Sequence, residues 1–305
     1  MRFSTRLIIL IGWVSVSGLM LSAKVKDQLK VTLLGTGTPY PEADRFGSAI
    51  LIEAGGKKML FDCGRGAVIR LSEAGTNTSD IDSLFITHLH SDHVVGIPDL
   101  WLTGWFLGRN KPLRVWGPAG TSSMVQHLVQ AFAFDVQTRV STESLPPKGA
   151  EIDAREIDEG KVYDDGLVRV SAFRVDHGPV KPALGYRIDY SGHSVVISGD
   201  TKFSQNLVNF AKGADCVIHV AWSIGASNLT PPSLRSIASA EDAARVFAMV
   251  RPRLSVVYHC KNEEGLANAI RAVYKGSFVV GKDLMTIVIG RTITWDSETS
   301  SGTVQ

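Results

Sequence analysis

Three of the chain's eight histidines lie within six residues of one another, in the stretch LFITHLHSDH that ends at residue 93. They follow an apolar run typical of a buried strand, so they are expected at its carboxyl end and in the loop beyond it. His88 and His90 are two apart in extended chain and point to the same side, whereas Asp92 and His93 lie past the turn. One short segment can therefore give two ligands to each of two metal ions.

Three later apolar runs also end in a polar residue that would be costly to bury unpaired. FRVDH ends at His177, VVISGD at Asp200 and SVVYH at His259. Imidazole and carboxylate ligands without thiolate suit zinc, and also manganese or iron. The sequence therefore predicts two divalent metal ions as cofactors, with zinc favoured.

The elements that must position these residues alternate along the chain from residue 31 onward. Runs such as SAILIEA, KMLFD, ALGYRIDY and LSVVYHC are typical of strands, whereas GAVIRLSEAG and TSSMVQHLVQAFAF have helical spacing. SAEDAARVFAMV begins with a helix start signal, Ser239 with Asp242 three residues on. Because functional side chains collect at the carboxyl ends of strands in α/β sheets, we expect the metal ligands to meet at one such edge.

These motifs resemble the metallo-β-lactamase fold superfamily and, within it, the ribonuclease Z and arylsulfatase branch. The resemblance covers Val31 to about Ile293 and includes LLGTGTPYP, FDCG, THLHSDH, DHGPVKPALGYRI, SGDT and VIH. It implies an α/β fold, an αββα sandwich of two mixed sheets with helices on the outer faces.

The resemblance also implies which residues bind which metal. The ligands of the first metal would be His88, His90 and His177, and those of the second Asp92, His93 and His259, with Asp200 bridging both. A hydroxide between the metals would then be the nucleophile, because a divalent cation can lower the pKa of bound water from 15.7 to about 7.

Two further positions match residues that this branch uses. His219, at the end of DCVIH, matches a histidine near the leaving group and is our candidate general acid. Asp92 is the other candidate catalytic residue. The family continues with an acidic residue where this chain has Val220, so a buried histidine whose ring bonds the backbone is the alternative. Asp62, in LFDCG, resembles an aspartate that orients a ligand histidine, and its alternative role is to cap a turn before Gly64.

The amino terminus has the layout of an export signal. In residues 1–23, Arg2 and Arg6 precede an uncharged apolar stretch at residues 7–21. We expect residues 24–305 to form one hydrolase domain that is periplasmic or secreted. Because the cleavage site is weak, an uncleaved membrane anchor formed by residues 7–21 is the alternative.

Departures from the family patterns determine the expected partner. The 23 positions from His177 to Asp200 fit a hairpin and leave no room for the basic tRNA-binding arm of bacterial ribonuclease Z. Without Arg2 and Arg6, 30 basic residues balance 30 acidic ones, whereas nucleic-acid enzymes normally show a basic footprint. We therefore expect a small-molecule substrate rather than tRNA or another nucleic acid, and leave a homodimer open.

The function that these expectations favour is an exported hydrolase of a small anionic ester, an aryl sulfate or a phosphodiester. Trp101, Trp105, Phe106 and Arg109 could form a pocket wall for its leaving group, with a buried amphipathic helix as the alternative. A lactonase or β-lactamase-type acyl hydrolase is the enzymatic alternative, because the fold serves many reactions. A metal-binding protein without turnover is the alternative from another class.

Overall fold

The computed structural model describes residues 27–81, 83–222, 236–260 and 263–305. The predicted export signal or anchor, residues 1–23, lies outside them. Within these ranges, none of the helices combines the length and the apolar composition needed to cross a bilayer.

The described strands form two mixed sheets. Their bounds are β1 Leu29–Gly35, β2 Ala49–Ala54, β3 Lys57–Phe61, β4 Ser83–Phe85, β5 Leu113–Gly117, β6 Ile152–Glu156, β7 Gly160–Asp164, β8 Val168–Arg174, β9 Leu184–Tyr190, β10 His193–Ile197, β11 Cys216–Val220, β12 Leu254–Tyr258, β13 Phe278–Val280, β14 Thr286–Ile289, β15 Ile293–Ser297 and β16 Ser300–Val304. The first sheet has the order β16-β15-β14-β1-β2-β3-β4-β5-β6, and the second β13-β12-β11-β10-β9-β8-β7.

Helices cover the outer face of each sheet. Their bounds are α1 Ala67–Glu73, α2 Ser91–Val94, α3 Ile97–Phe106, α4 Thr121–Ala131, α5 Ala133–Thr142, α6 Gln205–Phe210, α7 Ala240–Val250 and α8 Glu263–Val273. Buried side chains of α1 and α3 pack on the first sheet, and those of α6, α7 and α8 pack on the second. The start signal of α7 forms a capping box between Ser239 and Asp242, as predicted.

Alternation along the strands produces three apolar layers. In β1, Leu29, Val31 and Leu33 point into the core between the sheets, whereas Leu34 points to the outer helices. In β12, Val256 belongs to the central core and Val257 to the outer layer. Successive side chains of a strand face opposite sides, so a continuous apolar run serves both layers. The predicted α/β class, an αββα sandwich of two mixed sheets, is confirmed.

Parallel strands direct the predicted ligands to one edge of the sandwich. Strands β3 to β6 run parallel in the first sheet, as do β10 to β13 in the second. Two hydrogen bonds join the sheets at this edge: Tyr186 Oη donates to the Ile86 carbonyl at 2.6 Å, and Leu184 N to the Thr87 carbonyl at 2.9 Å. The residues that follow β4 are thereby held against the second sheet.

Helix α3 does not form the wall of a substrate pocket through its tryptophans. Trp101 and Trp105 are fully buried and donate their indole N–H groups to the carbonyls of Ala150 and Pro146. Arg109 is also buried and donates to the Trp101 carbonyl at 2.6 Å. The buried-helix alternative is therefore confirmed for these residues.

Candidate metal centre

The seven predicted metal ligands converge at the edge where the parallel strands end. His88 and His90 follow β4, Asp92 and His93 lie in α2, and His177, Asp200 and His259 follow β8, β10 and β12. Every one is buried except His90, which is exposed. Within three overlapping triads of these residues, the possible ligand atoms lie within 4.8 Å of one another. Side chains from both sheets thus meet at one point.

Three imidazoles form the first half of the cluster. His90 Nδ1 lies 3.0 Å from His88 Nε2 and 3.2 Å from His177 Nε2. Asp200 Oδ2 lies 3.9 Å from His177 Nε2. This arrangement of three nitrogens and one carboxylate oxygen matches the set that the resemblance assigned to the first metal.

The second half of the cluster is formed by two imidazoles and two carboxylates. Asp92 Oδ2 lies 3.6 Å from both His93 Nε2 and His259 Nε2. Asp200 lies near the same two imidazoles: its Oδ1 is 3.6 Å from His93 Nε2, and its Oδ2 is 3.6 Å from His259 Nε2. Asp200 therefore lies between the two halves, the position that a bridging carboxylate requires.

Hydrogen bonds determine which ring nitrogen of each histidine is free to bind a metal. His93 donates its Nδ1–H to the Asp62 carboxylate at 2.7 Å. In the same way, His177 Nδ1–H donates to the Ser236 carbonyl at 3.0 Å, and His259 Nδ1–H donates to the Gly37 carbonyl at 2.6 Å. In the neutral form of each ring, Nε2 therefore carries the lone pair that can bind a metal.

Several of these acceptor atoms are buried without a hydrogen-bond partner among the described residues. They are Asp92 Oδ2, His93 Nε2, Asp200 Oδ1 and His259 Nε2. Unpaired buried acceptors are rare because their desolvation is not compensated. Four of them directed at one point fit a divalent cation.

Asp62 supports ligands in both halves of the cluster. Its carboxylate accepts from His93 Nδ1 at 2.7 Å and from the N–H and hydroxyl of Thr87 at 2.8 and 2.9 Å. The Thr87 oxygen lies 3.0 Å from His88 Nδ1, and because it donates to Asp62 it accepts from His88. Asp62 thus occupies the supporting position proposed for it, and also reaches His88 through Thr87.

Burial and nearby charges shift the pKa values of the ligands in opposite directions. Burial, with the neighbouring His93, lowers the pKa of His88 well below 6.5. Burial would also lower the pKa of His93, but Asp62 and Asp200 outweigh it and raise that pKa to about 10. Although burial opposes it, the surrounding histidines His259 and His93 hold the pKa of Asp200 below its usual range. The carboxylates thus favour positive charge here, so protons and metal ions compete for the site.

His219 lies apart from this cluster. In β11 it alternates with Ile218 and Val220, which face the other sheet, and its ring lies 6.0 Å from that of Phe247 in α7. It is fully buried, donates Nδ1–H to the Val220 carbonyl at 2.6 Å, and burial lowers its pKa to about 4. This geometry does not support the predicted general acid and fits the alternative of a buried histidine bonded to the backbone.

A cleft of about 250 Å³ opens onto the cluster. His90, Ser91, Asp92, His177 and Asp200 form its polar side, and Pro39, Trp222 and Ile237 its apolar side. Sequence reasoning missed the apolar residues and the supporting Thr87. Asp62, which accepts from Thr87, lies 25 positions away, and the apolar residues come from three separate segments, so no local spacing could have identified these roles.

Comparison with solved structures defines the class of protein. The metallo-β-lactamase fold protein YhfI from Bacillus subtilis superposes with a TM-score of 0.70 at 19% identity, over 86% of this chain and 100% of that one. The short form of human tRNase Z superposes with a TM-score of 0.66 at 23% identity, over 86% of this chain and 98% of that one. The fold and the ligand cluster together define a metallo-β-lactamase fold protein that binds divalent metal.

Sequence comparison defines the family. Ribonuclease Z of Mycolicibacterium gilvum is 38% identical over 247 residues, 80% of each chain. Ribonuclease Z of Mycobacterium marinum is 32% identical over 270 residues, 88% of this chain and 90% of that one. The family model for Anti-Pycsar protein Apyc1 matches residues 29–226. The chain belongs to this Apyc1 family and, with its relatives, to the ribonuclease Z branch of the superfamily.

The family membership has two consequences for the expected function. The protein is a metal-dependent hydrolase acting on ester bonds, as predicted. The expectation that the substrate is a small anionic ester such as an aryl sulfate is wrong, because the relatives are ribonuclease Z enzymes. The exclusion of tRNA and other nucleic acid as partners is wrong for the same reason.

Replacing Asp62 by alanine is expected to weaken metal binding by roughly 10- to 100-fold, because His93 and the Thr87–His88 pair lose the acceptor that orients them. Competition with a chelator of known affinity measures the effect. Asp80→Ala is the control, since the exposed Asp80 pairs with Lys58 on the protein surface. Unchanged metal affinity with lowered folding stability would show that Asp62 only caps its turn.

Replacing His219 by leucine is expected to remove a pH dependence of stability. The pKa of His219 is about 4 in the folded chain and about 6.5 when unfolded, so the unfolded state binds an extra proton between these values. The stability that His219 contributes is therefore fully present above pH 6.5 and is lost as the pH falls towards 4, by about 3 kcal/mol in all. Urea unfolding at both ends of the range measures it.

The matched control is His127→Ala, because His127 is exposed on α4. It should leave the pH dependence unchanged. Equal pH dependence in wild type and His219→Leu would contradict the assignment of His219 as a neutral buried ring.

Proposed function

We propose that the protein is a ribonuclease Z-type enzyme that hydrolyses phosphodiester bonds in RNA, with tRNA as the first candidate. The observation that carries this proposal is 38% identity to a ribonuclease Z over 80% of the chain. The full set of seven donors at one edge supports it, because phosphodiester hydrolysis requires groups that hold both the attacking and the leaving oxygen.

Zinc is the metal that we propose for this site. Imidazole nitrogens and carboxylate oxygens make up the triads, and thiolate is absent from the cluster in the described residues. Cys63 is close in sequence to Asp62 but is fully buried, and burial together with Asp99 raises the pKa of its thiol well above the usual range. A neutral thiol is a poor metal ligand, so the choice of metal depends on the nitrogen and oxygen ligands, which suit zinc.

The residues of the chain have separate tasks in this reaction. Bound metal ions would supply a nucleophile at neutral pH and neutralise charge on the phosphate. Asp200 reaches both halves of the cluster and so sets their separation. Asp62, Gly37 and Ser236 fix the orientation of the histidine rings before substrate arrives. Such preorganisation matters because the site need not rearrange during the reaction.

Two lysines close in sequence to metal ligands are the candidates for binding the RNA backbone. Lys181 comes four residues after His177, and Lys202 comes two residues after Asp200. Within the described part of the chain, neither lysine forms an ion pair. The balance of total charge was therefore a poor guide, because phosphate binding depends on where cations lie and not on their sum.

The interval between His177 and Asp200 is the expected hairpin of β9 and β10. The absence of a long arm there does not exclude RNA, and the inference drawn from it was wrong. RNA binding in this chain must instead use the surface around the cleft.

Export through residues 1–23 concerns where the enzyme meets its substrate and stays a prediction.

The zinc-loaded protein is expected to cleave a tRNA substrate. A single-stranded RNA and a DNA oligonucleotide of the same sequence, taken from one strand of that substrate, are the comparison substrates, because the 2′-hydroxyl distinguishes RNA from DNA. Product lengths on a denaturing gel give the cleaved bond, and Asp200→Ala, which removes the shared carboxylate, is the inactive control. Protein with two bound metals that cleaves neither RNA would refute the proposal.

Replacing Lys181 and Lys202 together by glutamine is expected to make RNA binding less sensitive to salt. Each lost phosphate contact lowers the slope of log affinity against log salt by roughly 0.7 for single strands, so the pair should lower it by roughly 1.4. Binding of labelled RNA in EDTA between about 50 and 200 mM salt measures this.

The matched control for the lysine pair is the replacement of Lys148 and Lys161 by glutamine, because each forms a local ion pair, with Glu151 and Asp164 respectively. An equal change in both double variants would show that Lys181 and Lys202 make no specific contact with RNA.

A further inference from the structure

An aromatic pair, Tyr40 and Trp222, lies beside the metal cleft. Trp222 lines the cleft, and its ring centroid lies 5.7 Å from that of the ligand His259. The ring of Tyr40 lies 6.2 Å from Trp222 at an interplanar angle of 42°. Trp222 is buried, whereas Tyr40 is 49% exposed. Pro39 and Ile237 complete the apolar side.

We propose that this group, which we call the aromatic wall (Pro39, Tyr40, Trp222 and Ile237), is a subsite for a nucleobase next to the scissile phosphate. The inference rests on the proposed function, since it assumes a nucleic-acid substrate. Tyr40 provides the exposed ring on which the base stacks, and the buried Trp222 packs against the Tyr40 ring.

The loop that carries Tyr40 is fixed to the metal centre rather than free to move away. Gly37, three residues earlier, accepts a hydrogen bond from the ligand His259 at 2.6 Å. At the base of the loop, Asp283 accepts from the backbone N–H groups of Thr36 and Phe46, each at 2.8 Å. The same contact that orients a ligand therefore also positions Tyr40 at the cleft.

The metal-ligand cluster and the aromatic wall match the two parts of a nucleotide, its phosphate and its base. Metal ions held by the ligand cluster would bind the charged phosphate, and the aromatic wall offers an apolar surface beside it. Proteins that bind unpaired bases commonly stack them on aromatic rings, in a way that tolerates different bases. A tyrosine that only completed the core would be buried, as Tyr186 and Tyr258 are in this chain.

The first test measures binding without turnover. A ribodinucleotide analogue has both bridging ester oxygens replaced by CH₂, which keeps the negative charge and prevents hydrolysis. Titration into the zinc-loaded full chain by calorimetry should show binding weakened about 5- to 150-fold by Tyr40→Ala and little changed by Tyr40→Phe. Phe134→Ala is the matched control, because Phe134 is 82% exposed on α5. Equal affinity for wild type and Tyr40→Ala would overturn the subsite.

The second test locates the base. Three RNA substrates carry an intact sequence, an abasic residue on the 5′ side of the cleaved bond, or one on its 3′ side. The loss of kcat/KM caused by Tyr40→Ala should disappear for one abasic substrate only. An equal loss on all three would show that Tyr40 acts on the fold and not on a base.

The two tests separate the subsite from the proposed function. If wild-type protein cleaves none of the RNAs, the proposed function fails, and the binding measurement still decides whether the wall recognises a base. If wild-type protein cleaves them and Tyr40→Ala matches it in both tests, only the subsite is refuted.

Discussion

The carboxylate of Asp62 determines the orientation of histidines on both sides of the metal centre. It accepts directly from His93 and, through the Thr87 hydroxyl, fixes His88. To do so it takes a backbone φ of 57°, in the left-handed region that most residues avoid but aspartate tolerates. A residue held there at the end of β3 turns its side chain towards the next strand. The rest of the cluster depends on this turn, because the orientation of both rings is decided before any metal binds.

Much of the fold and the ligand set could be predicted because their signals are local. An apolar run that ends in histidine or aspartate identifies both a buried strand and the polar group at its end, as in FRVDH and VVISGD. Asp62 was identified through the family resemblance of LFDCG, in which it directly follows a similar apolar run. The alternation of strand-like and helical runs predicted the α/β class, whereas the two-sheet sandwich was implied by the family resemblance.

The remaining features depend on contacts that no short window contains. Gly37 and His259 are 222 positions apart, yet one hydrogen bond joins them. The sequence left His219 open between a general acid and a buried histidine, and its register in β11, on the side of Val217 and the helices, fits the buried histidine. The partner was misjudged because total charge carries no information about where the cations lie. That error replaced the positions of the charges with their sum.

The ligands come from both layers of the sandwich: His88, His90, Asp92 and His93 from the first sheet, and His177, Asp200 and His259 from the second. A bound ion is therefore a further cross-link between two layers that apolar packing and the hydrogen bonds of Tyr186 and Leu184 also hold together. Because a ligand that binds only the folded state adds its binding free energy to stability, the ion couples catalytic competence to the integrity of the whole interface. A core substitution far from the cleft that lets the sheets slide would release metal before it unfolds the chain. The amount of bound metal therefore reports whether the two sheets are correctly packed against each other.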